Sequence, residues 1–591
     1  MTGKGKSTKH KAQSLKFIDQ SDKPKAKRTR GGEILQRPHI IPLTGAMWFF
    51  TCFLMFGICS GIQAQSLPVG IPVLEDHFRR EQLLGNRDSS LSLMIRPLSK
   101  DAALAEGINT YRQLTKKDTL ALLPFTWIQQ LNSHHPYGWN DGSMIAAKGY
   151  QTTFSGGIAA DYGPLSIQIK PEFTFAANPG YEGYPQDGYP VVWRDYYQFY
   201  NNIDLPERNG SSRYMRIDPG QSSIKYNYKE FSLGASTENL WWGPGERNSL
   251  LMSNTAPGFI HLTLNTNKPF QTKIGSFEGQ FVWGRLDGTN YSPTQIKDYL
   301  FAMSNLYAPK KDEWRHFSGI TITYQPKWLP GLFAGFARSS QVYNDDVNSI
   351  GDVLPFFSSF GRGIDEAKPV GSPDRYTSLF FRWLMKEANA EFYFEYGHND
   401  QSKTFPDFVK NPDAGRAYIF GVKKIFALSS DEQHIMASIE LSQLGQNQEN
   451  ELFLNPNSWY IDENVRHGYT NRGQMLGAGI GPGAEIQSLE VLWFKGLKSI
   501  GLQLERNVHN QDYFFYTYTP SKDFRRHWVD IGYSAVGSWD FKNIVVNAKL
   551  AAINSLNYQW FLFQEPGDPY WMKGRDRFNF HARVGVSYFF K

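Results

Sequence analysis

The chain has 591 residues, 15% of them aromatic, with 53 glycines and 41% hydrophobic residues at a mean hydropathy of -0.46, a composition that fits one large β-structure as well as several ordinary domains. The formal net charge of +6 is concentrated at one end: residues 1–64 hold 11 Lys/Arg and 3 Asp/Glu, net +8, and the other 527 residues hold 51 and 53, net -2. A near-neutral body lacks the basic surface that phosphate neutralisation needs, so nucleic acid is excluded as a partner.

Both cysteines, Cys52 and Cys59, lie within the apolar run Ala46 to Cys59, so a chain cut after it has no disulfide, zinc-thiolate site or thiol nucleophile. That run follows a basic stretch and has the length of a secretory h-region rather than of a membrane-spanning helix. Residues 1–64 read as a leader with a long basic n-region, cleaved after Ala64; an uncleaved anchor is the alternative. Phe56-Gly57-Ile58 ahead of Cys59 makes a poor lipobox. No other long apolar run follows, so a membrane-embedded body has to be a barrel.

Residues 65–139 read as a partly helical segment ahead of the strands. Val73, Leu74, Phe78 and Leu83, with charges between them, predict a short amphipathic helix over Pro72 to Leu84, stopped by Gly85-Asn86. A weaker helical pattern spans Asp101 to Leu123 and ends at Pro124. This material lies ahead of the first strand, on the periplasmic side if the body is a barrel, or is a mobile N-terminal extension.

From Asn140 onward the pattern is alternation, the signal of strands with one apolar face. Leu165, Ile167 and Ile169 alternate with Ser166, Gln168 and Lys170. Ala390, Phe392, Phe394 and Tyr396 alternate with Glu391, Tyr393 and Glu395, and Ile435, Ala437, Ile439 and Leu441 with Met436, Ser438, Glu440 and Ser442. The longest case runs from Phe578 to Phe590. A soluble sandwich shows the same alternation; the leader, the aromatics Trp283, Trp328, Trp383 and Trp528 at strand ends, and the aromatic near the C-terminus, followed only by Lys591, favour a barrel. Residues 140–591 predict an all-β transmembrane barrel of about 18 antiparallel strands.

Within this pattern one stretch is not a generic strand. Glu238 to Phe259 sets Trp241 and Trp242 against Gly243-Pro244-Gly245, then Glu246, Arg247 and Asn248, and breaks again at Ala256-Pro257-Gly258. It resembles the signature of the Wzi family of capsule-assembly proteins. Leu131 to Gly142 leading into Lys148-Gly149-Tyr150-Gln151, Glu391 to Gly397, and Arg466 to Gly473 resemble further blocks of that family, so the likeness extends over about residues 131 to 485. It implies an outer-membrane β-barrel of a Gram-negative bacterium, with capsular polysaccharide or exopolysaccharide and outer-membrane lipid as partners, and possible association with polysaccharide export machinery. A monomer without cofactor is expected.

Sugars are held by aromatic faces and planar hydrogen-bonding groups. Trp241, Trp242, Glu246, Arg247 and Asn248 are therefore candidate polysaccharide-binding residues, with packing against the wall as their alternative. Tyr181, Tyr184 and Tyr189, in the Gly/Pro-rich part of an aromatic stretch ending at Tyr200, are candidates for a glycan platform; Trp193 to Tyr200 reads better as a strand in an interfacial girdle. Arg466, His467 and Arg472 suit an anionic polymer, or belong to salt bridges within the lumen. Turn-rich stretches 345–374, 455–472 and 564–577 read as loops at the surface or folded into the lumen. His134-His135 is a poor metal pair, since adjacent strand residues face opposite ways. No nucleophile elbow or His-Glu-x-x-His helix is present. The expected function is lectin-like binding of surface polysaccharide that aids its attachment and assembly; the alternatives are a porin for small solutes and an outer-membrane hydrolase acting on glycan or lipid.

Overall fold

The computed structural model describes residues 66–590 except 68, 70, 87–89, 100–111, 114–119, 185–189, 297–299, 302, 355–369, 400–404, 411, 429–431, 447–457, 519–522, 562–566, 568 and 570–574. The expected leader lies outside the described residues. Alternation makes each strand amphipathic, and a sheet of such strands hides its polar face and its edges together by closing. Eighteen antiparallel strands do so here. They begin β1 (Leu120–Asn132), β2 (Gly149–Tyr162), β3 (Leu165–Ile169, resumed at Glu172–Ala176), β4 (Tyr214–Asp218, resumed at Ser223–Tyr228), β5 (Phe231–Ser236) and β6 (His261–Thr266). The middle six are β7 (Gly275–Leu286), β8 (Arg315–Pro326), β9 (Leu332–Tyr343), β10 (Asp374–Met385), β11 (Ala390–Asn399) and β12 (Arg416–Ala427). The last six are β13 (His434–Gln443), β14 (Glu485–Lys495), β15 (Lys498–Val508), β16 (Val529–Phe541), β17 (Ile544–Leu556) and β18 (Arg577–Tyr588). Closure is the pairing of β18 with β1, from His581 opposite Asn132 to Tyr588 opposite Phe125.

The alternating rows face as the pattern predicts. Ile169, Ile439, Phe578 and Phe580 are exposed on the outer wall, while Gln168, Glu391, Glu395, Glu440 and His581 are buried inside it. Trp283, Trp328 and Trp383 are exposed at or near strand ends, as expected of a girdle. Trp528 is not: it turns inward and stacks on His509, ring centroids 3.7 Å apart. Among the described residues no helix is long and apolar enough to cross a membrane.

Two further expectations are corrected. The helical pattern of Asp101 to Leu123 falls partly outside the described residues, but Leu120 to Leu123 open β1, so the barrel begins ahead of residue 140. Pro124 reads as a helix stop; it instead sits where the β1–β2 register shifts between Leu123 and Thr126, an irregularity that tolerates a residue without an N–H. Trp193 to Tyr200 is no strand. It belongs to helix α2 (Pro190–Tyr200), whose Trp193, Tyr197 and Phe199 are buried.

Connections alternate in length. Those at 163–164, 229–230, 496–497 and 542–543 make one mouth of short turns; those at 177–213, 237–260, 287–314 and 444–484 make the other. Helix α1 (Pro72–Leu83) starts with proline at its first turn, a position where the missing N–H costs nothing, and ends before Gly85 at φ +74. It lies within the short-turn mouth: Leu74 and Phe78 pack with Leu497 and Phe589, and Arg79 Nε meets Glu391 Oε1 at 2.6 Å. Arg382 holds the other Glu391 oxygen at 2.6 Å and donates to Ser92 O and Gln82 Oε1, both at 2.9 Å. Above it the long loops, α2 and α3 (Gln511–Tyr518) fill the lumen around Trp193, Trp242, Phe317, Trp459, Tyr469 and Trp560. The lumen therefore holds a packed core against polar strand faces.

Candidate functional site

The Glu238 to Phe259 segment crosses the lumen and is tied down along its length. Trp241–Trp242 pairs antiparallel with Ile95–Arg96 of the N-terminal segment. Trp242 is fully buried and donates from Nε1 to Gln280 Oε1 at 2.7 Å; Trp241 lies under the Arg96 guanidinium at 4.4 Å. The Gly-Pro-Gly turn is required by close approach: a Cβ on Gly243, at φ +129, would lie 2.8 Å from Glu395 Oε2. Beyond it, the backbone N–H groups of Glu246, Arg247 and Asn248 converge on the Glu440 carboxylate at 2.8, 3.1 and 3.0 Å, a nest filled by a side chain of the wall.

The charged candidates are partnered in the same way. Glu246 pairs with Lys423 and with Arg79 at 3.1 Å. Burial pushes its carboxyl up, but the two cations more than offset that and hold it well below the ordinary range. Arg247 binds Glu490 at 2.7 Å, and Asn248 Nδ2 donates to Ser442. Arg466 caps the carbonyls of Ala308, Pro309 and Asn201. His467 is buried against Tyr343 Oη, and burial, with Arg315 beside it, drives its pKa down to about 2. Arg472 binds Asp218 at 2.6 Å. Tyr184 stacks on Tyr196 at 3.9 Å and shares a hydrogen bond with Tyr513 at 2.5 Å. Tyr189 lies outside the described residues.

Of the described candidates only Tyr181 lines a different feature: a cavity of about 250 Å³ built wholly by long-loop segments. Tyr181, Tyr196, Tyr200, Trp528, Tyr558 and Trp560 supply aromatic surface; Glu207, His509, Asn510 and Gln559 supply hydrogen-bonding groups. Trp528 is braced edge-on by Tyr558 at 5.2 Å and Trp560 at 5.1 Å. His509 is held by Asp530 at 2.8 Å, and Trp528 Nε1 reaches the same carboxylate at 3.0 Å. Asn557, Gln559 and Trp560 all have positive φ, 46°, 59° and 54°, a run of left-handed backbone that non-glycine residues rarely adopt and that clusters at binding sites. Glu207 accepts from the N–H groups of Tyr184 at 2.6 Å and Gln295 at 3.2 Å; burial nevertheless pushes its carboxyl up to about 7. Its volume is near the lower end for small-ligand clefts, about 300 Å³, so it suits one or two rings rather than a long segment.

A second cavity, about 270 Å³, lies on the α1 side and is lined by charged groups of both signs, among them Asp76, Arg80, Glu246, Arg247, Glu490 and Lys549. Gly138 borders both cavities. Among the described residues no group of three or more His, Cys, Asp and Glu side chains is placed to hold a metal ion.

Sequence reasoning missed Glu207, His509, Tyr558 and Trp560 because they come from three separate loops. The usable signal was Trp528 beside His527, two residues ahead of Asp530, and the Asn557 to Trp560 run at a strand end.

The family model for capsule assembly protein Wzi matches residues 137–543. Escherichia coli Wzi, described as an outer membrane protein involved in group 1 capsule assembly and a carbohydrate-binding β-barrel, has a structure similar to this one: TM-score 0.55, 13% identity, covering 90% of this chain and 100% of that one. Pseudomonas aeruginosa OccK7 gives TM-score 0.37 at 10% identity, covering 80% of this chain and 98% of its own. Acinetobacter baumannii OccAB2 gives 0.37 at 11%, with 79% and 97%. No curated protein sequence matches the chain. The chain belongs to the Wzi family of capsule assembly proteins.

Proposed function

We propose that this barrel sits in the outer membrane of a Gram-negative cell, with its short-turn mouth and α1 toward the periplasm, and holds surface polysaccharide in the aromatic cavity of its long loops. The observation that carries this reading is the cavity itself: six aromatic side chains and a few planar polar groups converge at the loop mouth, above a lumen occupied by loops, α1 and a buried aromatic core. Family membership and the fold shared with E. coli Wzi support it. The protein retains and organises polymer and catalyses nothing. Each contact is weak, and retention comes from many copies engaging one repeating chain. A packed lumen disfavours the porin reading. The protein acts as a monomer, beside the machinery that exports the polymer.

The test is the partition of surface polysaccharide between cells and medium in a strain lacking the protein, complemented with wild type or with Trp528→Ala. Unchanged total polymer that shifts into the medium, restored by wild type and not by Trp528→Ala, supports the proposal. Unchanged partition in the deletion strain overturns it.

A further inference from the structure

The charge around the cavity is one-sided, and this bears on which sugars it admits. Among the described residues that line it there is no lysine or arginine, whereas Glu207 contributes a carboxyl. Among the neighbouring cations, Arg208 is committed to the carbonyls of Asn178 and Ser211 and Arg577 to Glu182 at 2.8 Å through two nitrogens, while Lys148, whose charge is felt at His135, does not line the cavity. Of the lining histidines, His509 is occupied by Asp530, and His135 is lowered to about 4 by burial, so it is neutral at physiological pH. A uronic-acid or sulfated unit placed here would lose its hydration, meet a carboxyl and find no cation among the described lining residues. A buried charge without a partner is costly, whereas hydroxyls can exchange water for Asn510, Gln559 and the Glu207 oxygens.

Resting on the carbohydrate reading above, we infer that the cavity is specific for an uncharged sugar unit, a neutral hexose or an N-acetylated amino sugar, and that Glu207 is the residue that rejects acidic units. The cations that the sequence offers for an anionic polymer, Arg466 and Arg472, are bound to loop carbonyls and to Asp218 and do not line this cavity.

The experiment measures binding of the full-length protein in detergent to short fragments, which removes multivalency. Hexamers of glucan, galactan, mannan and poly-N-acetylglucosamine form the neutral set; hexamers of polygalacturonate and alginate form the acidic set. Tryptophan fluorescence at pH 8 and calorimetry report affinity. The expected result is binding of at least one neutral hexamer with every acidic hexamer weaker by about tenfold or more, since like charges juxtaposed in a desolvated site are strongly disfavoured. Glu207→Gln, which removes the charge, is expected to narrow that gap by strengthening the acidic hexamers. Should that variant fail to fold, wild type at pH 5 provides the same comparison, because a uronate stays ionised there while Glu207 takes up its proton. Acidic hexamers binding as well as or better than neutral ones, or a gap indifferent to both Glu207→Gln and pH, overturns the inference and leaves the carbohydrate reading intact. Binding of neither set overturns both.

Discussion

Trp242 separates a binding role from a structural one, because the structure fixes what each substitution removes. Its ring is fully buried, packs over Gly319 and donates to Gln280 at 2.7 Å. Trp242→Ala deletes the whole bicycle from a lumen held rigid by the barrel wall, so the site cannot collapse to fill the void, and the expected loss is about 3–5 kcal/mol. Trp242→Phe keeps most of the apolar volume and removes the N–H; the buried Gln280 oxygen is then unsatisfied, at a cost of about 1–3 kcal/mol. Urea unfolding of the purified protein in lipid vesicles, followed by tryptophan fluorescence and by the gel shift of the folded barrel, measures both. The Ala variant should unfold at the lowest urea, the Phe variant between it and wild type, and both should bind neutral hexamers like wild type under folding conditions. Equal stability of all three, or loss of binding with an unchanged midpoint, refutes the reasoning and returns the Trp-Trp pair to ligand contact.

Trp528→Ala removes the aromatic wall of the loop cavity and should weaken hexamer binding about tenfold, checked by calorimetry. Arg79→Ala leaves Glu391 and Glu246 with one buried cation fewer each, so the folded barrel should lose about 3–5 kcal/mol, read by the same urea titration. In planar bilayers the wild type should pass little current, whereas a variant lacking residues 66–99 should show openings from a vacated short-turn mouth. The Glu207 carboxyl, raised from an ordinary 4.5 to about 7, binds its proton more tightly folded than unfolded. Its neutral form is favoured by folding, so its contribution is greatest below pH 4.5, falls as the pH rises to 7 and is lost above that. The unfolding midpoint difference between wild type and Glu207→Gln should therefore change between pH 4.5 and 7 and be flat above it. Arg466→Ala and Arg472→Ala should leave hexamer binding unaltered.

The barrel was legible because its physics is local. Alternation at Leu165 to Lys170 or Phe578 to Phe590 reports two solvents on two faces, and adding such segments gives a strand count that closure confirms at 18. Helix α1 was legible for the same reason, through a 3.6-residue period ended by Gly85. The lumen was not. Aromatics at Trp193 to Tyr200 look alike whether they meet lipid headgroups or one another, and only the packing of α2 against α3 decides. The Glu-Arg-Asn triplet marked a special segment correctly, yet its partners Lys423, Glu440 and Glu490 lie 177 to 243 residues away, so a buried anchor and a ligand platform have the same sequence signature. The cavity depends on side chains from loops separated by hundreds of residues, which no spacing records.

Gly138 is where two cavities stand back to back. A Cβ there would lie 2.6 Å from Gln130 Nε2 and 2.7 Å from Asp141 Oδ2, so the partition is held at glycine thickness by the wall behind it. A larger residue at position 138 therefore has to move Gln130 or Asp141, and the linings of the two cavities change together.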